Sequence, residues 1–303
     1  MTKYTKPIID LQKPEAFRWV LSCILNWLVI GLSFYIVSHF QNIWSVILAI
    51  LVIGNRQHAI ALLGHEGAHY MLSSNQKWND FLTGFFAFWP LGINLPGYRD
   101  FHFAHHQNVG SAGDPELKHK KMNYPEFDLP LTRKKIFLYF IKDIFFFSTY
   151  EVVQLISFIV PRKKIHLLTP NLFMALIILP LIYFGYFWVV ILWFMANISS
   201  FWAFFRIRVY IEHIGTSATH RIQSNPFLNF IFFPYGADTH WEHHEWPNML
   251  WYNRSKARLL FSDIPLVPVN ELLKSYDHQS AALHHKHQSH QPLEFLTPIN
   301  EQK

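Results

Sequence analysis

Thirty-nine consecutive residues, Leu167 to Phe205, contain no Asp, Glu, Lys, Arg or His. That is about twice the roughly 20 residues an α-helix needs to cross a bilayer, and Gly185-Tyr186 near its middle supplies a turn signal. Two helices of about 19 residues each, folded back on one another, are expected there. A second uncharged run, Trp19 to Val37, is also long enough to span. It is too long for a cleaved signal peptide, and no small-residue cleavage site follows it. A third begins near Ile43 and continues past Gly54 towards His65 and Met71. A helix of about 30 residues would be about 45 Å long, against a hydrocarbon core of about 30 Å, so it should project out of the lipid. Composition agrees. The chain is 51% hydrophobic and 15% charged, well under the usual quarter for soluble domains. The expected fold class is an all-α integral membrane protein with about four transmembrane helices.

Chemistry gathers in three histidine boxes: His65 and His69; His102, His105 and His106; His240, His243 and His244. Spacings of i,i+3 and i,i+4 bring side chains to one side of a helix. Neutral imidazole ligates iron, zinc, copper or nickel. Scattered core or surface histidines would not repeat that spacing three times in one chain. His213, 27 residues before His240, is a ninth candidate, and nine imidazoles suit two metals better than one. The first box falls where the third apolar helix should leave the membrane. His58 lies about 10 Å along that helix from His65, so it reads as a packed, hydrogen-bonded residue and not as a ligand. Metal-bound imidazoles are oriented through their other ring nitrogen. Glu66, Asp114, Glu212 and Glu242 are adjacent candidates for that role, and each is equally open to reading as a cap or an ion-pair partner. Arg56, close to the membrane boundary, should find a carboxylate or a lipid head group.

If all boxes serve one centre, the chain between them must cross the membrane an even number of times. Phe81 to Pro96 is apolar but interrupted by Gly84, Pro90, Gly92 and Pro96. Too short to cross twice, it is expected as a re-entrant or interfacial hairpin packed against protein. Phe137 to Val160 carries Lys142, Asp143 and Glu151 and should lie along the interface. Basic residues crowd Lys118 to Lys121, Arg133 to Lys135 and Arg162 to Lys164, while His39 to Asn42 and the turn near Gly185 carry no Lys or Arg. Both termini and a histidine-box cap are therefore expected on the cytoplasmic side. The net charge of +6 belongs to that membrane surface and calls for no nucleic acid. The single cysteine, Cys23, excludes a disulfide framework and a cysteine-ligated iron–sulfur cluster within the chain. Residues 1–267 are expected as one membrane domain. Residues 268–303, with His278, His284, His285, His287 and His290, are expected as a mobile polar tail.

The boxes, with Arg56-Gln57-His58 before the first, Asp114-Pro115 after the second and His244-Glu245-Trp246-Pro247 after the third, resemble the membrane-bound fatty acid desaturases with a histidine-ligated di-iron centre. The likeness runs from about Asn55 to Leu260. Carotenoid hydroxylases and ketolases and membrane alkane hydroxylases look similar. The resemblance implies two iron ions as cofactor, O2 as co-substrate, a fatty acyl lipid as substrate within the surrounding membrane lipids, and a separate ferredoxin-like or haem protein as electron donor. It also implies a grouping of ligands: His65, His102, His106 and His240 on one iron; His69, His105, His213, His243 and His244 on the other. Two departures point away from the acyl-CoA branch. The first box has three residues between its histidines, not four, and Val209 stands where animal acyl-CoA desaturases have a water-holding asparagine. The expected activity is desaturation of a lipid-linked acyl chain. The alternatives are hydroxylation or ketolation of a carotenoid or alkane, and a non-catalytic metal-binding or transport protein, which would place polar residues along its spans.

Overall fold

The computed structural model describes residues 6–123 and 126–277. A short α1 (Lys6–Leu11) leads into α2 (Phe17–Phe40) and α3 (Ile43–Ala68), the pair that anchors the bundle. Gln41, in the left-handed region, makes the turn between them. Asn42 then caps α3 by accepting from the Ser45 N–H, while the Ser45 hydroxyl receives the Asn42 N–H in return, a reciprocal box that closes two of the orphan groups at the helix start. At 26 residues, α3 is about 39 Å long. It outruns the lipid and delivers His65 in its last turn and His69 at its C-cap.

Beyond α3 come α4 (Gln76–Thr83), a π turn (Gly84–Phe88), a 3-10 turn (Trp89–Leu91) and α5 (Leu95–Asn108), which carries the second box. This is the broken hairpin the Gly and Pro residues foretold. It is packed against protein: the indole N–H of Trp27 on α2 donates to the Phe86 carbonyl at 2.9 Å. Gly64 lets it come close to α3. A methyl group there would sit 2.1 Å from the Phe88 ring, and Phe88 is wholly buried.

Then follow α6 (Pro115–Met122), α7 (Arg133–Ile144) and α8 (Thr149–Phe158). The last two have 12 and 10 residues, about 18 and 15 Å, and neither can span. The uncharged run forms α9 (Leu168–Tyr183), α10 (Phe187–Ala196), a π turn (Asn197–Phe201) and α11 (Trp202–His213), with the turn at Gly185, φ +83°. Four continuous stretches are long and apolar enough to cross a membrane: Phe17–Phe40, Ile43–Ala68, Lys164–Tyr183 and Phe187–His213. Their outward residues, among them Leu28, Leu32, Leu172 and Leu179, are exposed apolar side chains of the kind that face lipid. The second π turn is where α3 meets this hairpin most tightly. The Ser200 hydroxyl donates to the Ile50 carbonyl at 2.6 Å, and a Cβ on Gly54 would lie 2.5 Å from the Phe201 nitrogen.

The remaining helices, α12 (Pro226–Ile231), α13 (His240–Glu245), α14 (Trp251–Leu260) and α15 (Val269–Ser275), close the polar end. The only strands among the described residues are β1 (Ile222–Gln223) and β2 (Val267–Pro268), paired in parallel. So the fold is all-α, as expected. The segment after residue 267 is packed where a tail was expected, as far as it is described. Val269, Leu272 and Tyr276 are buried, and the Tyr276 hydroxyl donates to the carbonyls of Tyr210 and Ile214 at 2.8 and 2.9 Å. The histidines from His278 onward lie outside the described residues.

Candidate metal centre

All nine candidate imidazoles are buried at one end of the bundle and fall into two groups. One ring nitrogen each from His65, His69, His102, His106 and His243 lie within 4.8 Å of one another, as do one each from His105, His213, His240 and His244. Within the first group, Nε2 of His102 is 2.9 Å from Nε2 of both His69 and His106, and Nε2 of His106 is 2.9 Å from that of His243. In the second, Nε2 of His240 stands 2.8 Å from His213 and 3.1 Å from His244. The groups touch where His106 and His244 stack, ring centroids 4.2 Å apart.

This grouping differs from the one the resemblance implied: His240 sits with His213, and His69 and His243 sit with His65. The reason is helical angle. At 100° per residue, an i,i+4 pair is offset by about 40° and an i,i+3 pair by about 60° in the opposite sense. In every box the i,i+4 pair (His65/His69, His102/His106, His240/His244) shares one group. The i+3 member, His105 or His243, crosses to the other.

The rings are in the form a metal needs. Burial, reinforced by neighbouring cationic groups, pushes His102, His106, His240, His243 and His244 well below the usual imidazole range, and His69 to about 3. They are neutral at physiological pH. His105 Nδ1 lies 2.9 Å from Asp114 Oδ1 and His213 Nδ1 3.0 Å from the Ala218 carbonyl, contacts that fix the orientation of both rings. Ring nitrogens converging at about 3 Å form a donor set suited to a soft-to-borderline transition ion. The residues fit two such ions.

The four candidate carboxylates divide. Asp114 holds His105 and also caps α6 by accepting the Glu116 N–H at 2.9 Å. Glu212 Oε1 is 3.3 Å from His240 Nδ1. Glu66 is 4.0 Å from His65 Nδ1 but is engaged chiefly by the Arg254 guanidinium and the Trp251 N–H. Glu242 meets no imidazole among the described residues. It receives Arg221 at 2.8 Å and Arg258 at 2.8 and 2.9 Å, so it braces α13 against α14. Arg56 meets no carboxylate among the described residues. It lies over the Phe230 ring and bonds Asn55. His58 is packed against Phe201, but neither of its ring nitrogens has a partner. His220 stays outside both groups, its Nε2 bonded to the Ile214 carbonyl at 2.8 Å.

Sequence reasoning missed the arginines and Glu116. Arg254 and Arg258 are one turn apart on α14, the first reaching Glu66 beside the first box and the second Glu242 within the third. Glu116 sits two residues past Asp114 and 3.4 Å from His105 Nε2.

A cavity opens onto both groups. His65, His102, His105 and His240 form part of its wall, with apolar side chains such as Phe88, Phe101, Ile156 and Phe205 and the charged groups Glu116, Lys120, Arg208 and Glu212. Tyr98 stacks on His102 there, centroids 5.5 Å apart.

Known proteins resemble the chain over part of its length. The chain is 38% identical over 77 residues to the dihydrorhizobitoxine desaturase of Bradyrhizobium elkanii, covering 25% of this chain and 22% of that one. It is 30% identical over 96 residues to a Delta(8)-fatty-acid desaturase of Helianthus annuus, 31% and 21% of the two chains. It is 28% identical over 122 residues to the sn-1 acyl-lipid omega-3 desaturase (ferredoxin) of Nostoc sp. (strain 36), 40% and 34% of the two. The chain thus matches between about a fifth and a third of the length of these relatives. The fatty acid desaturase family model, in contrast, matches residues 41–267, a stretch that runs from the cap of α3 to β2 and holds all nine imidazoles, and the chain belongs to that family.

Proposed function

We propose that the chain is an O2-dependent membrane desaturase, an oxidoreductase that introduces a double bond into a lipid-linked acyl chain with two iron ions held by the nine imidazoles. The observation that carries this is the pair of buried imidazole groups opening together onto one largely apolar cavity. Histidine-ligated iron supplies, with O2 and two electrons, the power to take hydrogen from an unactivated C–H bond. The balance is –CH2–CH2– + O2 + 2 e⁻ + 2 H⁺ → –CH=CH– + 2 H2O. The protein's share is placement. Phe88, Phe101, Ile156 and Phe205 bury methylenes and exclude water, while Asp114, Glu212 and the Ala218 carbonyl fix three ligand rings. Lipid-linked acyl is supported by the Nostoc relative, named for an sn-1 acyl-lipid substrate and for ferredoxin, which also supports a separate small electron carrier.

Lipid extracts from cells with and without the protein test the reading. New double bonds are the expected result. New hydroxyl or keto groups would move the protein to the hydroxylase and ketolase branch, and unchanged lipids with one zinc in the purified chain would refute the di-iron reading.

The orientation follows from parity. Both α3 and α11 end in candidate ligands, so the turns at Gln41 and Gly185 fall on the far side of the membrane. The basic clusters stay on the imidazole side, which is cytoplasmic. Reporter tags at either terminus and after Lys121 should be cytoplasmic, and one near Gln41 external. A tag after Lys121 on the opposite side from the C-terminus would break the assignment.

A further inference from the structure

Two buried polar side chains on the wall of the cavity make no hydrogen bond among the described residues. His58, on α3, is 1% exposed, and neither of its ring nitrogens has a partner. Trp202, the first residue of α11, is 2% exposed, and its indole Nε1 is likewise without one. Both line the cavity, and they stand at the same level of it. The His58 ring lies edge-on to that of Phe201, centroids 6.2 Å apart, and Trp202 is the next residue. The π turn Asn197–Phe201 ends immediately before Trp202, and π turns are rare and gather at functional sites. Elsewhere on the wall polar groups are paired: Glu116 with Lys120, Arg208 with Glu212, and His119 with the Glu151 carbonyl. Gln57, beside His58, reaches the same hairpin and donates to the Trp193 carbonyl at 3.1 Å. A buried donor or acceptor left unmade costs more than a made bond returns, so two such side chains in one stretch of wall need a reason.

The chemistry of the pair says what satisfies it. Indole offers a donor and no acceptor, and neutral imidazole offers a donor on one nitrogen and an acceptor on the other. A hydroxyl both gives and takes, with one O–H and two lone pairs. It therefore answers the indole N–H and either nitrogen of His58, whichever carries the proton. A carbonyl oxygen only accepts, and a bare methylene answers neither side chain. We propose that His58 and Trp202 form a hydrogen-bonding subsite for a hydroxyl carried partway along the substrate chain, and that this subsite sets which carbons reach the imidazoles. The assignment deepens the reading of the cavity as an acyl-binding site and rests on it. The helices set the spacing. His58 precedes His65 by about 10 Å along α3, and Trp202 precedes His213 by about 16 Å along α11, at 1.5 Å per residue. The hydroxyl thus sits roughly 10 to 16 Å from the reacting carbons, measured along those helices.

The test measures binding to the full-length protein in detergent and needs no turnover. Two probes, methyl stearate and the same ester with one mid-chain hydroxyl, compete against tritiated methyl stearate. Wild type should hold the hydroxy ester at least about tenfold more tightly, because the hydroxyl gains its own bonds and relieves unpaired groups on the protein. In His58→Phe and Trp202→Phe, which keep an aromatic ring and lose its polar atoms, that preference should shrink towards one. A measurement on wild type alone covers a variant that fails to fold. With isotope-labelled tryptophan, one of the 11 indole N–H signals should move in the NMR spectrum on adding the hydroxy ester and stay on adding methyl stearate. Equal affinity for the two esters, with no indole signal telling them apart, would overturn the proposal. So would a preference undiminished in both folded variants. Binding of neither ester would instead remove the acyl reading of the cavity, and this subsite with it.

Discussion

The His243→Ala protein should lose the metal of the five-imidazole group and keep the other, and the His244→Ala protein should do the reverse. Each should weaken its own site by at least about 10- to 100-fold, the loss seen when even an outer partner of a metal ligand is removed. Turnover should fall to background in both, since the proposed chemistry needs the pair of ions. The two residues are adjacent on α13 and both buried, so a general disturbance of that helix would strike both. Geometry separates them: His243 reaches His106, and His244 reaches His240. Metal analysis with Mössbauer spectra of the two proteins checks the result. Loss of the same doublet in both would restore the grouping in which they share one iron. Retention of both metals and of turnover would remove the residues from the centre altogether.

That grouping shows where the sequence was legible and where it was not. The boxes, the ninth histidine and the number of spans could be read because each depends on local spacing: charge-free length for Phe17–Phe40 and the α9–α11 hairpin, helical periodicity for the imidazoles. The rule that i,i+4 partners share a group while the i+3 residue crosses to the other was available from helical angle alone. Taking the grouping from resemblance passed over it. Glu242 could not be read, because its role depends on Arg221 and Arg258 arriving from 21 residues before and 16 after. The same holds for Glu66, whose partner Arg254 is 188 positions away. Both carboxylates abut box histidines in sequence, yet each spends its main contacts on arginines. Adjacency in a chain says little about which way a helical side chain turns.

Arg206→Met should be the most destabilising single change outside the metal centre, by about 3–5 kcal/mol, because it strands buried charge. Arg206 lies on α11 with its guanidinium fully enclosed. It donates to Asp143 at 2.6 and 3.1 Å, to the Ser148 hydroxyl at 3.1 Å, and to Glu151. Asp143 is on α7 and Glu151 on α8, so one cation fastens both short helices, the second of which lines the cavity, to the α9–α11 hairpin. Two carboxylates share that single cation. Burial, helped by the charge of Asp143 and opposed by Arg206, pushes Glu151 up to about 7. A carboxyl with a raised pKa stabilises the fold fully at pH below its ordinary value near 4.3, and that contribution drains away as pH rises through the folded value. Wild type should therefore lose stability between about pH 4.3 and pH 7, the interval between the ordinary carboxyl value and the raised value of Glu151, and change little above it. Glu151→Gln mimics the protonated acid, so it should be nearly neutral at the lower pH and more stable than wild type at the higher. Thermal unfolding in detergent at the two pH values reads all of this. An Arg206→Met protein that melts with wild type would show that the network carries no weight. A Glu151→Gln protein equally destabilised at both pH values would show that Glu151 is held as the anion.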